Sequence, residues 1–387
     1  MIKKFCLIGS SFSALPLAEK ISKYGHKLYV VGNDKSDPCH NFAFKSIFLD
    51  YSDLENTLQI DDINFDFIIP SSNDIAYEFA EKLSKERSIE PLSSRIPCNL
   101  IHEKDKFRNL LKKHGLPSPS ILSEGDLEKI FKCGEKIIIK PIASFSGKGI
   151  SILNSKKKIN EAILLAKKNC KKKKYLIETY FPGSLHSISL FFKDGYQYAN
   201  NFSDEFCLEY PFAVDTSFSP SRIPTKNKEL ILNQLNSFAK SIGYNNGMLH
   251  IQFIFNGKSH QFIECMMRCP GDMYPYMIEK SINNYDFTTY YLNSFCNFIF
   301  PFKNFKEENK IKQSYVGRKT ICFSKEICFK SLRNIYDKNI EIFPLGKTGD
   351  FIKKAPYGKL GIVFFKTNSY RSLKNFLNKS NSEWIKF

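Results

Sequence analysis

The chain has 387 residues, enough for two or three domains with ample core. Its 42% hydrophobic and 25% charged residues exclude a disordered or fibrous chain. The formal charge of +18 raises a nucleic acid or a membrane surface, but nearly all the excess is lysine, without the arginine forks and concentrated basic face such partners need. Eleven scattered cysteines, in a chain that opens directly on a strand, predict reduced, cytoplasmic thiols. Cys265 and Cys269 lack the further ligands of a zinc site. No apolar run approaches the ~20 residues that cross a bilayer.

In chain order, Phe5 to Gly9 reads as a strand, Ser10 to Gly25 as a helix, and His26 to Gly32 and Asp66 to Pro70 as further strands. This βαβ pattern predicts a parallel sheet. The first turn, Gly9–Ser10–Ser11–Phe12–Ser13, breaks the spacing of a dinucleotide fingerprint, and Phe12 stands where backbone would approach a pyrophosphate. Asn73 and Asp74 follow a parallel strand, either as ligand contacts or as a turn and helix cap. His102 to Gly115 is a helix with Lys106 in its first turn, where the dipole favours an anion rather than a cation.

The stretch Ile137 to Ile150 follows, reading IIIKPIASFSGKGI. It predicts a buried strand ending in Lys140, then a mobile loop through Ser144, Ser146, Gly147, Lys148 and Gly149. A fixed cation beside a flexible, amide-rich, cationic loop suits a polyphosphate. Ile159 to Lys174 reads as a long basic helix, and Tyr175 to Phe181 as a strand broken by Pro182–Gly183. The run Lys171 to Lys174 is either a solvated helix end or an anion patch. Ser187 to Phe192 pairs with Tyr196 to Asn200, Asn227 to Ile242 is helical, and Met248 to Phe255 and Ser259 to Met266 form a hairpin about Asn256–Gly257. Pro301 to Lys312 reads as a linker, and four short strands and a helix, Tyr370 to Leu377, follow as a small β-rich cap.

On the second hairpin, alternation puts His250, Gln252 and Ile254 on one face, and Glu264, Met266 and Arg268 on one parity. Gln252 opposite Glu264 gives an oxygen pair suited to Mg2+, with a guanidinium beside it for an anion.

Lys106, I-I-K-P at Ile138 to Pro141, the S-x-S-G-K-G loop, I-E-T-Y-F-P-G at Ile177 to Gly183 and I-E-x-x-x-R at Ile263 to Arg268 occur in that order. Together they resemble the ATP-grasp superfamily, in particular the carboxylate–amine ligases related to biotin carboxylase and the purine-pathway ribonucleotide ligases. The resemblance covers nearly the whole chain. It implies an α/β protein with an α+β grasp core: a Rossmann-like domain (1–100), an ATP-grasp domain of two α+β subdomains (101–308, with 115–182 bearing the lid) and a β-rich C-terminal cap (309–387). It implies that Lys106 and Lys140 contact ATP phosphates, with Ser144 to Gly149 as the lid. Glu178 would bind adenosine, and the backbone of Thr179, Tyr180 and Phe181 would meet the adenine edge between Ile138, Ile254 and Ile263. Glu264 and position 252 would hold Mg2+, and Arg268 would steady an acyl-phosphate.

Three positions depart from the family pattern. Gln252 replaces an acid, Met266 an asparagine, and Leu185 the ribose-contacting acid, which leaves His186 to serve. The implied activity is ADP-forming ligation of a carboxylate to an amine through an acyl-phosphate, with Lys140, Lys148 and Arg268 as catalytic cations. A carboxyphosphate- or formate-using relative and an ATP-binding pseudoenzyme are the alternatives. The partners expected are small molecules, with neither nucleic acid nor membrane, and a homodimer is compatible. Asn73, Asp74, Arg222 and Arg318 are expected to shape the substrate pocket, the arginines because a guanidinium fork suits carboxylate or phosphate.

Overall fold

The computed structural model describes residues 1–60, 63–89, 96–144, 146–301, 314–333, 335 and 337–386. Most of the predicted linker, residues 302–312, lies outside the described residues.

The N-terminal alternation folds as four parallel strands, β1 (Lys4–Ile8), β2 (Lys27–Val31), β3 (Lys45–Ile47) and β4 (Phe67–Pro70), in the order β3-β2-β1-β4. Helix α1 (Leu15–Lys23) connects β1 to β2, and α2 (Asp74–Glu86) follows β4. All pairs being parallel, every strand delivers its carboxyl end to one edge, where Ser10, Ser71 and Asn73 sit.

After α3 (Cys98–His102) and α4 (Lys104–Lys113), a small unit forms from α5 (Leu127–Lys132), β5 (Ile137–Pro141), β6 (Ser151–Leu153), α6 (Ile159–Lys168) and β7 (Tyr175–Thr179). Its antiparallel sheet, β6-β5-β7, covers a core of its own built on Leu127, Ile137, Ile139, Ile163 and Ile177. A unit with a separate core can move as a body. Helix α6 stops at Lys168, short of the predicted Lys174, because Asn169 donates its side-chain amide to the Leu165 carbonyl (2.9 Å) and the chain then turns. In that turn Lys172 reaches Glu103 at 2.5 Å.

The main sheet contains β8 (Ser184–Lys193), β9 (Tyr196–Phe206), β10 (Thr216–Ser219), β11 (Gly247–Phe255), β12 (His260–Met266) and β13 (Tyr315–Ile321), with α7 (Thr225–Ser241), α8 (Tyr274–Ser281) and α9 (Phe287–Asn293). The C-terminal stretch adds β14 (Ile327–Cys328), β15 (Ser331–Leu332), β16 (Ile340–Pro344), β17 (Phe351–Ile352), β18 (Gly361–Thr367), α10 (Tyr370–Leu377) and β19 (Ile385–Lys386). Of the C-terminal strands, β14 pairs with β17 and β15 with β19, but β13, β18 and β16 do not stand apart as a cap. One eight-stranded sheet runs β12-β11-β8-β9-β10-β13-β18-β16, joined throughout by antiparallel pairs.

Both faces of this sheet are covered: along β8, Phe192 packs on Tyr244 just after α7, while Phe191 points the other way and packs on Phe287 and Tyr290 of α9, all of them buried. Each such side chain contributes on the order of 1.5–3 kcal/mol of burial. The face shared with α8 and α9 carries Ser187, Ser203, Glu205, Gln252 and Arg318; Tyr274 of α8 bonds Ser203 and Asn201 there, and the stretch through Glu205, Gln252 and Arg318 forms the floor of the cleft.

Candidate functional site

A cleft of about 730 Å3 lies between the small β5–β7 unit, the main sheet, the N-terminal domain and the segment 355–359. At one end, Ile138, Ile254 and Ile263 line it with Thr179, Tyr180 and Phe181. Ile263 owes its place to a β-bulge. The loop of the second hairpin spans Asn256 to Ser259, with the Asn256 side chain accepting from the Lys258 and Ser259 amides. Phe253 pairs with Phe262 but Gln252 pairs with Glu264, so Ile263 is the extra residue. A bulge re-aims a side chain and frees a backbone carbonyl. That carbonyl accepts from the Arg108 guanidinium. Gln252 thus opposes Glu264 as expected, but a tight turn at Asn256–Gly257 alone would have offset the pair.

At the floor of this end, Glu178 is buried between two cations. Its carboxylate lies 2.5 Å from Lys140 Nζ and 2.5 Å from Arg108 Nε. Burial pushes Glu178 up, but Lys140 and Arg108 outweigh it and hold the carboxyl below its usual range. Burial lowers the Lys140 ammonium to about 8 against the pull of Glu178. Both groups line the cleft.

Helix α4 places Lys104, not Lys106, in the cleft. Lys104, Phe107, Arg108 and Leu111 are all buried and share one helical face, at i, i+3, i+4 and i+7. Lys106 faces outward, one-third exposed, and pairs with Glu103 at 3.3 Å. Lys104 donates to Glu264 (2.7 Å) and to the Ser144 carbonyl (3.3 Å), tying α4, β12 and the glycine loop together. The structure thus puts Lys104 in the cleft where Lys106 was expected, and the helical phase with Leu111 is the sequence signal for it.

In the lid, Ser144, Ser146 and Gly147 line the cleft, and Ser144 donates to the Lys148 carbonyl (3.3 Å). Gly147 has φ +64°, and a Cβ there would lie 2.1 Å from the Phe212 carbonyl oxygen, so only glycine allows this approach. Gly149 lies against Pro141 and Asn169 rather than in the cleft. Lys148 Nζ stands 4.4 Å from the Tyr357 ring centroid, outside the lining. Burial, then Lys359, lowers its pKa.

At the oxygen-rich end, His250, Gln252, Glu264, Met266 and Arg268 all line the cleft. Gln252 Nε2 donates to Glu205 at 2.6 Å. Burial raises the Glu205 pKa against the hydrogen bonds of Ser187 and Gln252. Among the described residues no three His, Cys, Asp or Glu side chains cluster to cage a metal. The donors are instead hard oxygens, Glu264 and the Gln252 amide, which fits Mg2+ held by one or two protein oxygens with phosphates and water completing its shell. His250, hydrogen-bonded to Ser189 (2.8 Å), is kept neutral by burial, with a pKa lowered to about 3.

Arg268 Nε donates to Asp74 at 2.6 Å. Although burial works the other way, Arg268 and then His102 hold the Asp74 carboxyl down to about 2. Asp74 is the counter-ion of Arg268 rather than part of the lining, and this pair ties the start of α2 to the segment just after β12. Asn73 caps α2 through Ala76 N (2.8 Å) and still lines the cleft.

Arg318 is buried in the wall, donating to Ser217 (2.8 Å) and to the Asp272 carbonyl (3.2 Å). Asp272 also holds Lys359 and Thr320. Asp272 and Met273 both adopt φ +54°, strained for non-glycine residues, and Asp272 lines the cleft. Arg222 does not reach the cleft; its guanidinium stacks 3.9 Å over Tyr370. His186 is also outside the lining. It is buried between Asp204 (2.8 Å) and Ser184 (2.6 Å), and Ser184 presents the edge of that chain to the cleft. Beyond Lys104, sequence reasoning missed Arg108, Glu205, Asp272 and Lys359. Arg108 shares the α4 face just described. Glu205 had no signal, because a polar strand face reads as solvent-facing.

Residues 133–275 match the family model of the ATP-grasp domain. A curated relative, the formate-dependent phosphoribosylglycinamide formyltransferase of Prochlorococcus marinus subsp. pastoris, is 28% identical over 170 residues, 42% of each chain. The match thus spans about two-fifths of that relative's length. The L-amino acid ligase of Bacillus licheniformis shares the fold with TM-score 0.79 at 17% identity, over 99% of this chain and 98% of that one. The biotin carboxylase domain of the Hydrogenobacter thermophilus 2-oxoglutarate carboxylase, solved with MgADP, does so with TM-score 0.79 at 16% identity, over 97% of this chain and 89% of that one.

Proposed function

Because residues 133–275 match the ATP-grasp domain, we propose that the protein is an ADP-forming ligase joining a carboxylate to an amine through an acyl-phosphate. The observation that carries this reading is the convergence of Lys104, Lys140, Arg268 and Glu264 on one cleft beneath a glycine lid. A carboxylate is a poor electrophile because oxide leaves badly. Accepting the γ-phosphoryl group of ATP gives it a good leaving group, and an amine then displaces phosphate. Phosphoryl transfer asks for positioning and charge neutralisation rather than a covalent partner.

In this reading the isoleucines 138, 254 and 263 grip the adenine, with backbone at 179–181 at its edge. Lys104 and Lys140 hold the phosphates. Glu264 and the Gln252 amide oxygen would hold Mg2+, which supplies charge neutralisation at the phosphates when bound. Arg268, oriented by Asp74, faces the acyl-phosphate, and Lys148 with the lid excludes water that would hydrolyse it. Arg318 and Asn73 shape the substrate wall, while Arg222 has no part in it.

The test is incubation with Mg-ATP and pools of amino acids and other small carboxylates and amines. ADP release that requires both substrates, and hydroxamate formation when hydroxylamine replaces the amine, is the expected result. ATP binding without turnover in every pool would refute it. The second reading, a formate-using enzyme, is favoured by the name of the curated relative. ADP release with formate alone as the carboxylate would select it.

A further inference from the structure

Position 252 carries an amide where the family pattern has an acid, so the metal end of the cleft lacks a charge. The structure supplies one nearby. Gln252 on β11 opposes Glu264 on β12 on one side and Ser187 on β8 on the other. Beyond β8 lies β9, where Ser187 opposes Ser203 and Glu205 follows two residues on. Glu205, only 5% exposed, reaches back across β8 and accepts from Gln252 Nε2 at 2.6 Å.

An amide has one donor end and one acceptor end, and a carboxylate only accepts. With its nitrogen committed to Glu205, Gln252 must present its oxygen elsewhere. Flipped, it would set oxygen against oxygen. Donation into a carboxylate also draws electron density towards the amide oxygen, making a neutral ligand a stronger one. The Glu205 region is itself rigid. Ser187 bonds Ser203 (2.8 Å), Ser203 bonds Tyr274 (2.6 Å), and Asn201 donates to Tyr274 (3.0 Å), all buried.

We propose that Glu205 is the positioning residue of the Mg2+ site, fixing the Gln252 amide so that its oxygen faces the metal and supplying the charge that position 252 lacks. Outer-sphere partners of this kind orient first-sphere ligands and tune their strength. The proposal rests on the ligase reading, in that the cleft takes a metal–nucleotide.

The test uses Mn2+ with ADP on the full chain, free Mn2+ being read by electron paramagnetic resonance. Glu205→Gln and Glu205→Ala should each weaken Mn2+ binding in the presence of ADP by about tenfold or more. ADP binding in EDTA should be unchanged, which establishes that the variants fold. Gln252→Glu alone puts two carboxylates in contact and should bind poorly. Adding Glu205→Gln to it should restore binding, so the effect of losing the Glu205 charge reverses sign between the two backgrounds. Equal Mn2+ affinity in wild type and both Glu205 variants would overturn this inference alone, as would the same loss in both backgrounds. A wild-type protein that binds ADP but holds no Mn2+ would overturn the metal-site reading and this inference together.

Discussion

Replacing Lys104 and Lys106 separately by methionine tests the helical phase on which the site is built. Lys104 is 8% exposed and 2.7 Å from Glu264, whose side chain is 23% exposed. Its loss leaves Glu264 without its cation. Breaking a fully buried pair costs about 3–5 kcal/mol and a surface pair about 0–1, so this partly covered pair falls near 1–3 kcal/mol of stability. A charge-assisted hydrogen bond to phosphate is worth about 1.5–3 kcal/mol, so ATP affinity should also fall about 10- to 100-fold. Lys106 is 36% exposed and bound to Glu103 across one helical turn. Its loss should cost no more than ~0.5 kcal/mol and leave ATP binding within about twofold. Titration calorimetry with ATP and urea unfolding measure both quantities. If Lys106→Met weakens ATP binding more than Lys104→Met, the phase of α4 and the site drawn from it are wrong.

Three further outcomes follow from the same geometry. Glu178→Gln leaves Lys140 and Arg108 as buried charges without an acid and should destabilise the protein by roughly 3–5 kcal/mol in urea unfolding; an unchanged midpoint would refute the buried triad. Lys140 titrates near 8, so it attracts phosphate below that pH and loses its charge above it. ATP affinity of the free protein should therefore decline as pH rises through about 8, and a flat profile from pH 7 to 9 in calorimetry would count against Lys140 as a phosphate contact. Gly147→Val places a side chain where the Phe212 carbonyl already lies; ATP should still bind, while ADP release falls about tenfold or more because the lid cannot seat, and unimpaired turnover would show that the lid closes elsewhere.

Much of this was legible in the sequence because the residues concerned obey simple periodicities. The N-terminal βαβ strands, Lys140 at a strand end and the Gln252–Glu264 face are examples. The failures have physical causes. Strand β9 runs past the predicted end at Asn200 to Phe206, because Glu205 is polar yet faces a cleft, and alternation cannot tell a cleft from solvent. Helix α9 escaped notice because every one of its residues is buried, leaving no amphipathic stripe. The bulge at Ile263 is invisible without its partner strand, although it sets the register of the metal pair. Lys106 was preferred to Lys104 because position along the helix was weighed and the direction of the side chain was not.

The unbroken sheet from β12 to β16 bears on how the protein can be dissected. Its terminal strands read like a removable lobe, but β13 is the neighbour that closes β10, and β18 closes β13. Cutting the chain before Tyr315 would strip Thr216 to Ser219 of hydrogen-bond partners and expose a bare strand edge to pairing with other chains. The same cut would remove Arg318 and Lys359 from the cleft wall. The shortest piece of this molecule that folds with its cleft intact therefore includes the C-terminal strands, and domain swaps with relatives should exchange the β5–β7 unit, whose sheet stays whole when moved, rather than the tail, which has a core of its own but shares its sheet with β10.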